Sequence, residues 1–252
     1  MNGLTLKNIS KSFAENEVLK DVNIHVQAGE LVCLLGASGC GKTTLFNIIA
    51  GLLPPDKGEV FIDDCKITGK TGKISYMLQK DLLLPYRTVE DNIALPLLLR
   101  HQNKKKAREE VAKHLEQFGL EGMAKKYPAQ LSGGMRQRAA LLRTYLFSQN
   151  WVLLDEPFSA LDPFTKANLQ EWFLRVMKEL SLTALFITHD IDEAILLSNR
   201  IYLLGGGKPS GILCEVEIKP EHRANHEFKL SQDFLDYKRF ILGRFEKLPT
   251  TM

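Results

Sequence analysis

Nine residues, Gly36-Ala37-Ser38-Gly39-Cys40-Gly41-Lys42-Thr43-Thr44, carry the spacing G-x-x-x-x-G-K-[ST] of a phosphate-binding loop. Its glycines let the backbone pass close to a phosphate chain and aim N–H groups at it. Lys42 is long enough to reach β- and γ-phosphates, and the Thr43 hydroxyl can ligate Mg²⁺. Downstream, the apolar run Trp151 to Leu154 ends in Asp155, a carboxylate suited to holding Mg²⁺ through water. Glu156 follows directly and can act as general base toward an attacking water. His189 closes another apolar run and can orient that water and contact the γ-phosphate; Gln79 closes a third and can sense both metal and water. Taken singly, a strand-terminal carboxylate is usually a turn residue and a lone histidine is usually structural. Together these groups describe phosphoryl transfer to water.

A second anion-binding pattern is Leu131-Ser132-Gly133-Gly134-Met135-Arg136-Gln137-Arg138. It is a serine cap with two glycines at a helix start, where N–H groups and the helix dipole favour negative charge. On its own it is a capped helix. Beside a phosphate loop it suggests pairing, because one anion site comes with lysine and carboxylates and the other without. Asp162 lies in Ser159-Ala160-Leu161-Asp162, a turn just beyond the carboxylates.

The elements that must position these groups are legible in the apolar pattern. Leu4, Leu6 and Ile9 begin a strand, Phe13 falls in a polar loop, and Val18, Leu19, Val22, Ile24 and Val26 form a second strand. Leu31 to Leu35 reads as a buried strand entering the phosphate loop, and Thr44 to Ala50 as a helix stopped at Gly51. Glu59 to Ile62 and Lys73 to Leu78 are further strands. From Asp81 to about Leu142 the periodicity is helical. Thr88 with Asp91 resembles a capping box, Pro96 interrupts the helix it opens, a second helix runs through Ala107, Val111, Leu115 and Phe118 to a cap at Gly119, and a third starts at Ser132. Strands return at Trp151 to Leu154 and Thr183 to Ile187, with a helix opened by Asp162-Pro163 between them. Arg200 to Leu204 and Ile212 to Ile218 form a hairpin, and Ser231 to Phe245 a terminal amphipathic helix that packs on the core through Phe234, Tyr237, Ile241 and Phe245. Four apolar strands thus end in polar groups, and in open α/β sheets ligands bind at the carboxyl ends of the strands.

Composition bounds the rest. At 252 residues the chain is long enough for one or two domains, and its formal net charge of +3 is too small to imply nucleic acid. The densest basic run, Lys104-Lys105-Lys106 with Arg108, is followed by Glu109 and Glu110 and reads as a solvated helix face. Cys33, Cys40, Cys65 and Cys214 show no C-x-x-C spacing, which points to a reducing compartment. No apolar run approaches the ~20 residues of a membrane span, and no signal peptide is expected at the start.

In order and rough spacing, the residues from about Leu4 to Glu217 resemble the ATP-binding-cassette (ABC) ATPases, the nucleotide-binding subunits of ABC transporters. Phe13 matches the A-loop aromatic, Gly36 to Thr43 Walker A, Gln79 the Q-loop, Leu131 to Met135 the signature, Val152 to Asp155 Walker B followed by catalytic Glu156, Ser159 to Asp162 the D-loop and His189 the H-loop. The resemblance implies an α/β fold: a P-loop NTPase, RecA-like core with an antiparallel β subdomain and an inserted α-helical subdomain. It implies a cassette over residues 1–217, with the helical part at about 81–142, and a short extension over 218–252 with a terminal helix and no long regulatory domain. It further implies ATP with Mg²⁺, the latter held by Thr43, Gln79 and Asp155. Gly36, Ser38, Gly39, Cys40, Gly41, Lys42, Thr43 and Thr44 would cradle the phosphates, with Lys42, Glu156 and His189 catalytic. Family members work as head-to-tail dimers, so the signature residues Ser132, Gly133 and Gly134 would complete a partner's site, with Asp162 of the D-loop also counted among the nucleotide-binding residues.

Two departures stand out. Met135 ends a signature that commonly ends in Gln, and Phe13 replaces a common Tyr, which keeps ring stacking on adenine but not a hydroxyl contact. Leu-Ser-Gly-Gly-Met-Arg-Gln-Arg, and the stretch Asp81 to Asn92, are similar to the importers of nitrate, sulfonates, taurine and thiamine precursors. That resemblance implies integral membrane permease subunits, an extracytoplasmic solute-binding protein acting indirectly, and a place on the cytoplasmic face of the membrane. A soluble assembly ATPase is the competing class; co-purification with an integral membrane protein separates the two. A non-enzymatic nucleotide-binding regulator conflicts with an intact Glu156 and His189.

Overall fold

The computed structural model describes residues 3–148, 150–159, 161–219 and 227–246. In chain order the strands are β1 (Gly3–Phe13), β2 (Asn16–Gln27), β3 (Leu31–Leu35), β4 (Lys57–Ile62), β5 (Cys65–Lys66), β6 (Ser75–Met77), β7 (Trp151–Asp155), β8 (Thr183–Thr188), β9 (Arg200–Gly205) and β10 (Gly211–Glu217). The helices are α1 (Lys42–Ile49), α2 (Val89–Ile93), α3 (Leu95–Leu99), α4 (Lys104–His114), α5 (Gly133–Phe147), α6 (Pro163–Glu179), α7 (Ile191–Leu197) and α8 (Gln232–Glu246). They form two compact units. The first takes the described residues up to Lys73 and those from Thr183 onward; the second runs Ile74–Leu182.

The first unit holds two sheets. Alternating apolar residues make the antiparallel one, ordered β2-β1-β4-β5. Leu4 and Leu6 of β1 face Val26 and Ile24 of β2 on one side and Ile62 and Val60 of β4 on the other. Leu4, Leu6, Val26, Ile24 and Val60 are all buried, so register and core face coincide. The second sheet is built on β3, whose five residues are all buried as expected of a strand covered on both faces. β3 lies parallel between β8 and β9, and β10 returns antiparallel to β9. α1 buries Leu45, Phe46, Ile48 and Ile49, each contributing roughly 1.5–3 kcal/mol. At the far end α8 lies against α7 with Phe234 and Ile241 buried, and Lys238 Nζ sits 2.6 Å from Asp192 Oδ1. The terminal helix therefore packs on the unit as its apolar pattern predicts.

In the second unit β6 and β7 pair in parallel, Met77 opposite Leu154. α5 is held from below by aromatic residues. Phe118 meets Trp172 edge-on at 5.6 Å, the Arg138 guanidinium stacks over Trp172 at 4.7 Å, and Trp172 Nε1 donates to the Gln117 carbonyl at 3.2 Å. Arg108 forks onto Asp91 with two bonds of 2.9 Å, tying α4 to α2. Burial alone would raise the Asp91 carboxyl, but the Arg108 and Lys104 bonds hold it below the usual range.

Several local expectations shift. Phe13 ends β1 rather than lying in a loop. The strand at Lys73 to Leu78 contracts to three residues, Ser75–Met77. The helix opened by Thr88 divides at Ala94, and Pro96 sits in the first turn of α3, where its missing N–H breaks no helical bond. Thr88 accepts from the Asp91 N–H at 3.3 Å, but the Asp91 carboxylate is engaged by Arg108 instead of returning to the cap. α4 stops at His114, and Phe118 is buried in the turns that follow. α7 is an addition to the helices expected from the sequence.

Candidate active site

The phosphate loop leaves β3 at Leu35, whose register partner on β8 is Thr188. Gly36 and His189 therefore leave the same edge of the same sheet, side by side. An added Cβ at Gly36 would lie 2.5 Å from the Leu204 carbonyl oxygen and 2.8 Å from Cys40 Sγ, so only glycine fits. Gly41, with φ +97°, caps α1, and no side chain bonds that helix's start. Lys42 Nζ donates to the carbonyls of Gly36 at 2.7 Å and Ala37 at 2.9 Å, and the residue is 7% exposed. The loop thus carries a preplaced ammonium beneath its own turn. Ser38, Gly39 and Thr43 are exposed; Cys40, Gly41 and Thr44 are half-buried. Burial pushes the Cys40 thiol up against the opposing pull of Lys42, so it stays a neutral thiol. Phe13 presents a 47% exposed ring with Lys11 Nζ 5.6 Å from its centroid.

In the second unit the parallel register of β6 and β7 carries Gln79 and the Asp155-Glu156 pair off one edge. Gln79 Nε2 donates to Glu156 Oε2 at 2.9 Å, although the two are 77 residues apart. Glu156 sits at φ +46°, a left-handed conformation costing a non-glycine residue about 1–2 kcal/mol. Its carbonyl accepts from Ser159 N at 3.2 Å and Ser159 Oγ at 3.0 Å, which holds the strained turn. Asp155 is 8% exposed and accepts from the Tyr76 hydroxyl at 3.3 Å. Burial first, then the Asp155 charge, raises the Tyr76 phenol, so it remains a donor. Asp162 caps α6 by accepting from Thr165 N at 3.1 Å, and the Thr165 side chain, then this backbone bond, hold its carboxyl below the usual range. Ala160, inside the turn, lies outside the described residues.

Ser132 caps α5, its Oγ accepting from Met135 N at 3.3 Å. A Cβ on Gly133 would come 3.1 Å from Leu161 Cδ2, and one on Gly134 3.1 Å from Thr165 Cγ2. The two glycines therefore pack closely on the start of α6.

Residues 19–159 match the family model described as "ABC transporter". Over 247 residues the chain is 40% identical to an aliphatic sulfonates import ATP-binding protein, SsuB, of Bacillus cereus, covering 96% of each. The chain belongs to the ABC transporter family. This cassette is also 40% identical over 225 residues to the formylaminopyrimidine import ATP-binding protein ThiZ of Halalkalibacterium halodurans, covering 89% of this chain and 88% of that protein. Its fold matches the ATP-binding cassette MJ0796, solved as a dimer in a post-hydrolysis state bound to ADP and Pi, with a TM-score of 0.72 at 31% identity. That match covers 86% of this chain and 99% of the other. The α/β cassette architecture expected from the motifs is thus present, and the chain is an ABC ATPase subunit. Among the described residues no helix is long and apolar enough to cross a membrane.

Two residues that bond at these strand ends, one in each unit, escaped the sequence reading. Tyr76 lies 79 positions from the Asp155 it bonds, and no local signal marks it. Glu193 does have a signal: Asp190 followed three residues later by a glutamate is a helix-start pattern, and α7 begins there.

Proposed function

We propose that this cassette binds and hydrolyses ATP to energise uptake of a small solute, of the nitrate, sulfonate, taurine or thiamine-precursor type, through a separate membrane permease. The observation that carries the enzymatic part is the 2.9 Å bond from Gln79 to Glu156 at the edge where Asp155 also emerges. The solute class is supported by the likeness to SsuB and ThiZ and by the sequence Leu131 to Arg138.

In this reading the backbone from Gly36 to Thr44 cradles the phosphates, Lys42 meets the β- and γ-phosphates, and Phe13 stacks on adenine. Mg²⁺ would be held, as the ABC family implies, by the Thr43 hydroxyl, the Asp155 carboxylate and the Gln79 amide. These hard oxygens with few carboxylates suit Mg²⁺, which when bound would neutralise charge on the phosphates. Glu156 takes a proton from the attacking water as its oxygen bonds to the γ-phosphorus, and the β–γ bridging oxygen leaves with ADP. Gln79 aims the Glu156 carboxylate, and His189 orients the water and meets the γ-phosphate. Two chains pair head to tail, so that Ser132, Gly133, Gly134 and Asp162 of one complete the ATP site of the other. The dimeric state of MJ0796 supports this pairing. The permease binds the pair at the cytoplasmic face, and an extracytoplasmic binding protein delivers solute from the other side.

Replacing the base while keeping its shape tests the chemistry. Glu156→Gln should lower turnover roughly 10²–10⁴-fold, about 3–5 kcal/mol of barrier, while ATP binding persists. Near-normal turnover would sink the assignment. The importer reading is tested by extracting a tagged chain from membranes in mild detergent. An integral membrane protein should accompany it, and recovery with soluble assembly factors alone would favour the competing class.

A further inference from the structure

His189 is exposed between two residues that are held fast. Thr188 ends β8 at 2% exposure, and Asp190 caps α7. The Thr188 hydroxyl donates to Glu193 Oε2 at 2.5 Å and accepts from the Asp190 backbone N–H at 3.0 Å. Asp190 Oδ1 in turn accepts from the backbone N–H groups of Asp192 at 2.9 Å and Glu193 at 3.3 Å. The circuit closes: Glu193 side chain to Thr188, Thr188 to Asp190, Asp190 back to the Glu193 backbone. His189 lies inside its span.

Glu193 decides the direction of that circuit. An ionised carboxylate only accepts, so the Thr188 proton must point to Glu193, which leaves an oxygen lone pair for Asp190. Glu193 is 4% exposed, and a buried carboxylate is disfavoured unless its bonds compensate. A favourable charge at the helix start would be met by a less buried acid in the first turn, as Asp192 already provides. α7 packs against both β3 and β8, and Glu193 on it is buried and bonded to Thr188 at the end of β8, so the carboxylate sits beneath the strand pair that carries both the phosphate loop and His189.

We propose that Glu193 is a positioning residue for His189, locking Thr188 and Asp190 so that the imidazole is presented to the γ-phosphate and the attacking water. This rests on the role given to His189 above. Glu193→Ala and Thr188→Val each cut the circuit, while Glu193→Gln keeps an acceptor for the Thr188 hydroxyl. In the purified full chain, Glu193→Ala should lower kcat by about 10- to 100-fold, by analogy with the partners that orient metal-ligating histidines. KM for ATP should change little, and Glu193→Gln should recover most of the rate. The combined Glu193→Ala/His189→Ala variant should be no slower than His189→Ala, because the first acts only through the second. A further slowing in the combined variant would overturn the proposal, as would a Glu193→Gln no better than Glu193→Ala. Should Glu193→Ala fail to fold, Thr188→Val reads the same link by deleting one hydroxyl, and full kcat there would equally overturn it. Full turnover in His189→Ala would instead remove the role of His189 itself, an outcome distinct from the others.

Discussion

α1 and α5 both start on glycine-bearing turns, and they meet the start of a helix in different ways. Every α-helix begins with N–H groups that lack an intrahelical partner. At α1 the cap is Gly41, which has no side chain to answer them, and Lys42 stands buried in the first turn. At α5 Ser132 answers one of them itself. The nearest cation there, Arg136, turns back to the Leu131 carbonyl at 2.9 Å and lies 3.3 Å from Asp81. In the proposed reading the first start meets the phosphates of its own chain's ATP, whereas the second, partly satisfied internally, serves as half of a shared site. The glycines differ in the same sense. Gly36 is confined by backbone, the Leu204 carbonyl at 2.5 Å, whereas Gly133 and Gly134 are confined by side chains at 3.1 Å.

The largest effect expected from this contrast is on nucleotide affinity. Lys42→Ala removes a buried ammonium whose charge-assisted bonds are worth roughly 1.5–3 kcal/mol, a factor of ten to a hundred or more in Kd. Ser132→Arg places a bulky cation at the other helix start and should leave one-chain ATP affinity nearly intact while blocking the ATP-dependent dimer of the Glu156→Gln background. Calorimetry and light scattering read the two. Equal ATP affinity in Lys42→Ala and Glu156→Gln would refute the phosphate-loop assignment, and a dimer untouched by Ser132→Arg would refute the shared site.

A smaller effect should appear in stability. Gly36→Ala forces a Cβ against backbone that cannot rotate away, a strain of about 1–3 kcal/mol, with loss of ATP binding. Gly134→Ala meets only the end of Thr165. Alanine there also adds up to about 1 kcal/mol of helix propensity, so the melting point should hold and only turnover should fall. Comparable destabilisation in the two variants would erase the distinction between a backbone-limited and a side-chain-limited glycine.

Much of this was legible because its signals are local. A five-residue apolar strand, a glycine loop and a helix specify the Gly36 to Thr44 site within one stretch of chain, and the apolar run before Asp155 does the same for the carboxylates. Asp162-Pro163 announced α6 by cap chemistry alone. What escaped depends on partners distant in sequence or on competition between them. Tyr76 is identified only by its bond to Asp155. The capping box at Thr88 is half made because Arg108, 17 residues beyond Asp91, takes that carboxylate. α4 ends at His114, and Phe118 beyond it meets Trp172, 54 residues on, edge-on. Asp190 and Glu193 mark α7, but the apolar strand Thr183 to Ile187 runs almost directly into that cap and masks the helix start behind it.

The finest test of the comparison uses a matched pair of caps. Ser132 and Thr88 both cap helices of the second unit, with φ −65° in each and ψ 163° and 165°. Each hydroxyl accepts from the backbone N–H three residues on at 3.3 Å. As caps they are equivalent, so Ser132→Ala and Thr88→Ala should each cost about 1 kcal/mol, an apparent drop of some ~2–4 °C in melting point for a chain of this size. If capping were the whole role of Ser132, turnover would fall equally in both. The shared-site reading requires the Ser132 hydroxyl to act also on a partner's nucleotide, so turnover should fall further in Ser132→Ala at the same loss of stability. Measuring melting point and kcat on the two variants therefore separates the structural duty of the hydroxyl from its catalytic one. Equal kcat at equal stability would reduce the second glycine turn to an ordinary helix start.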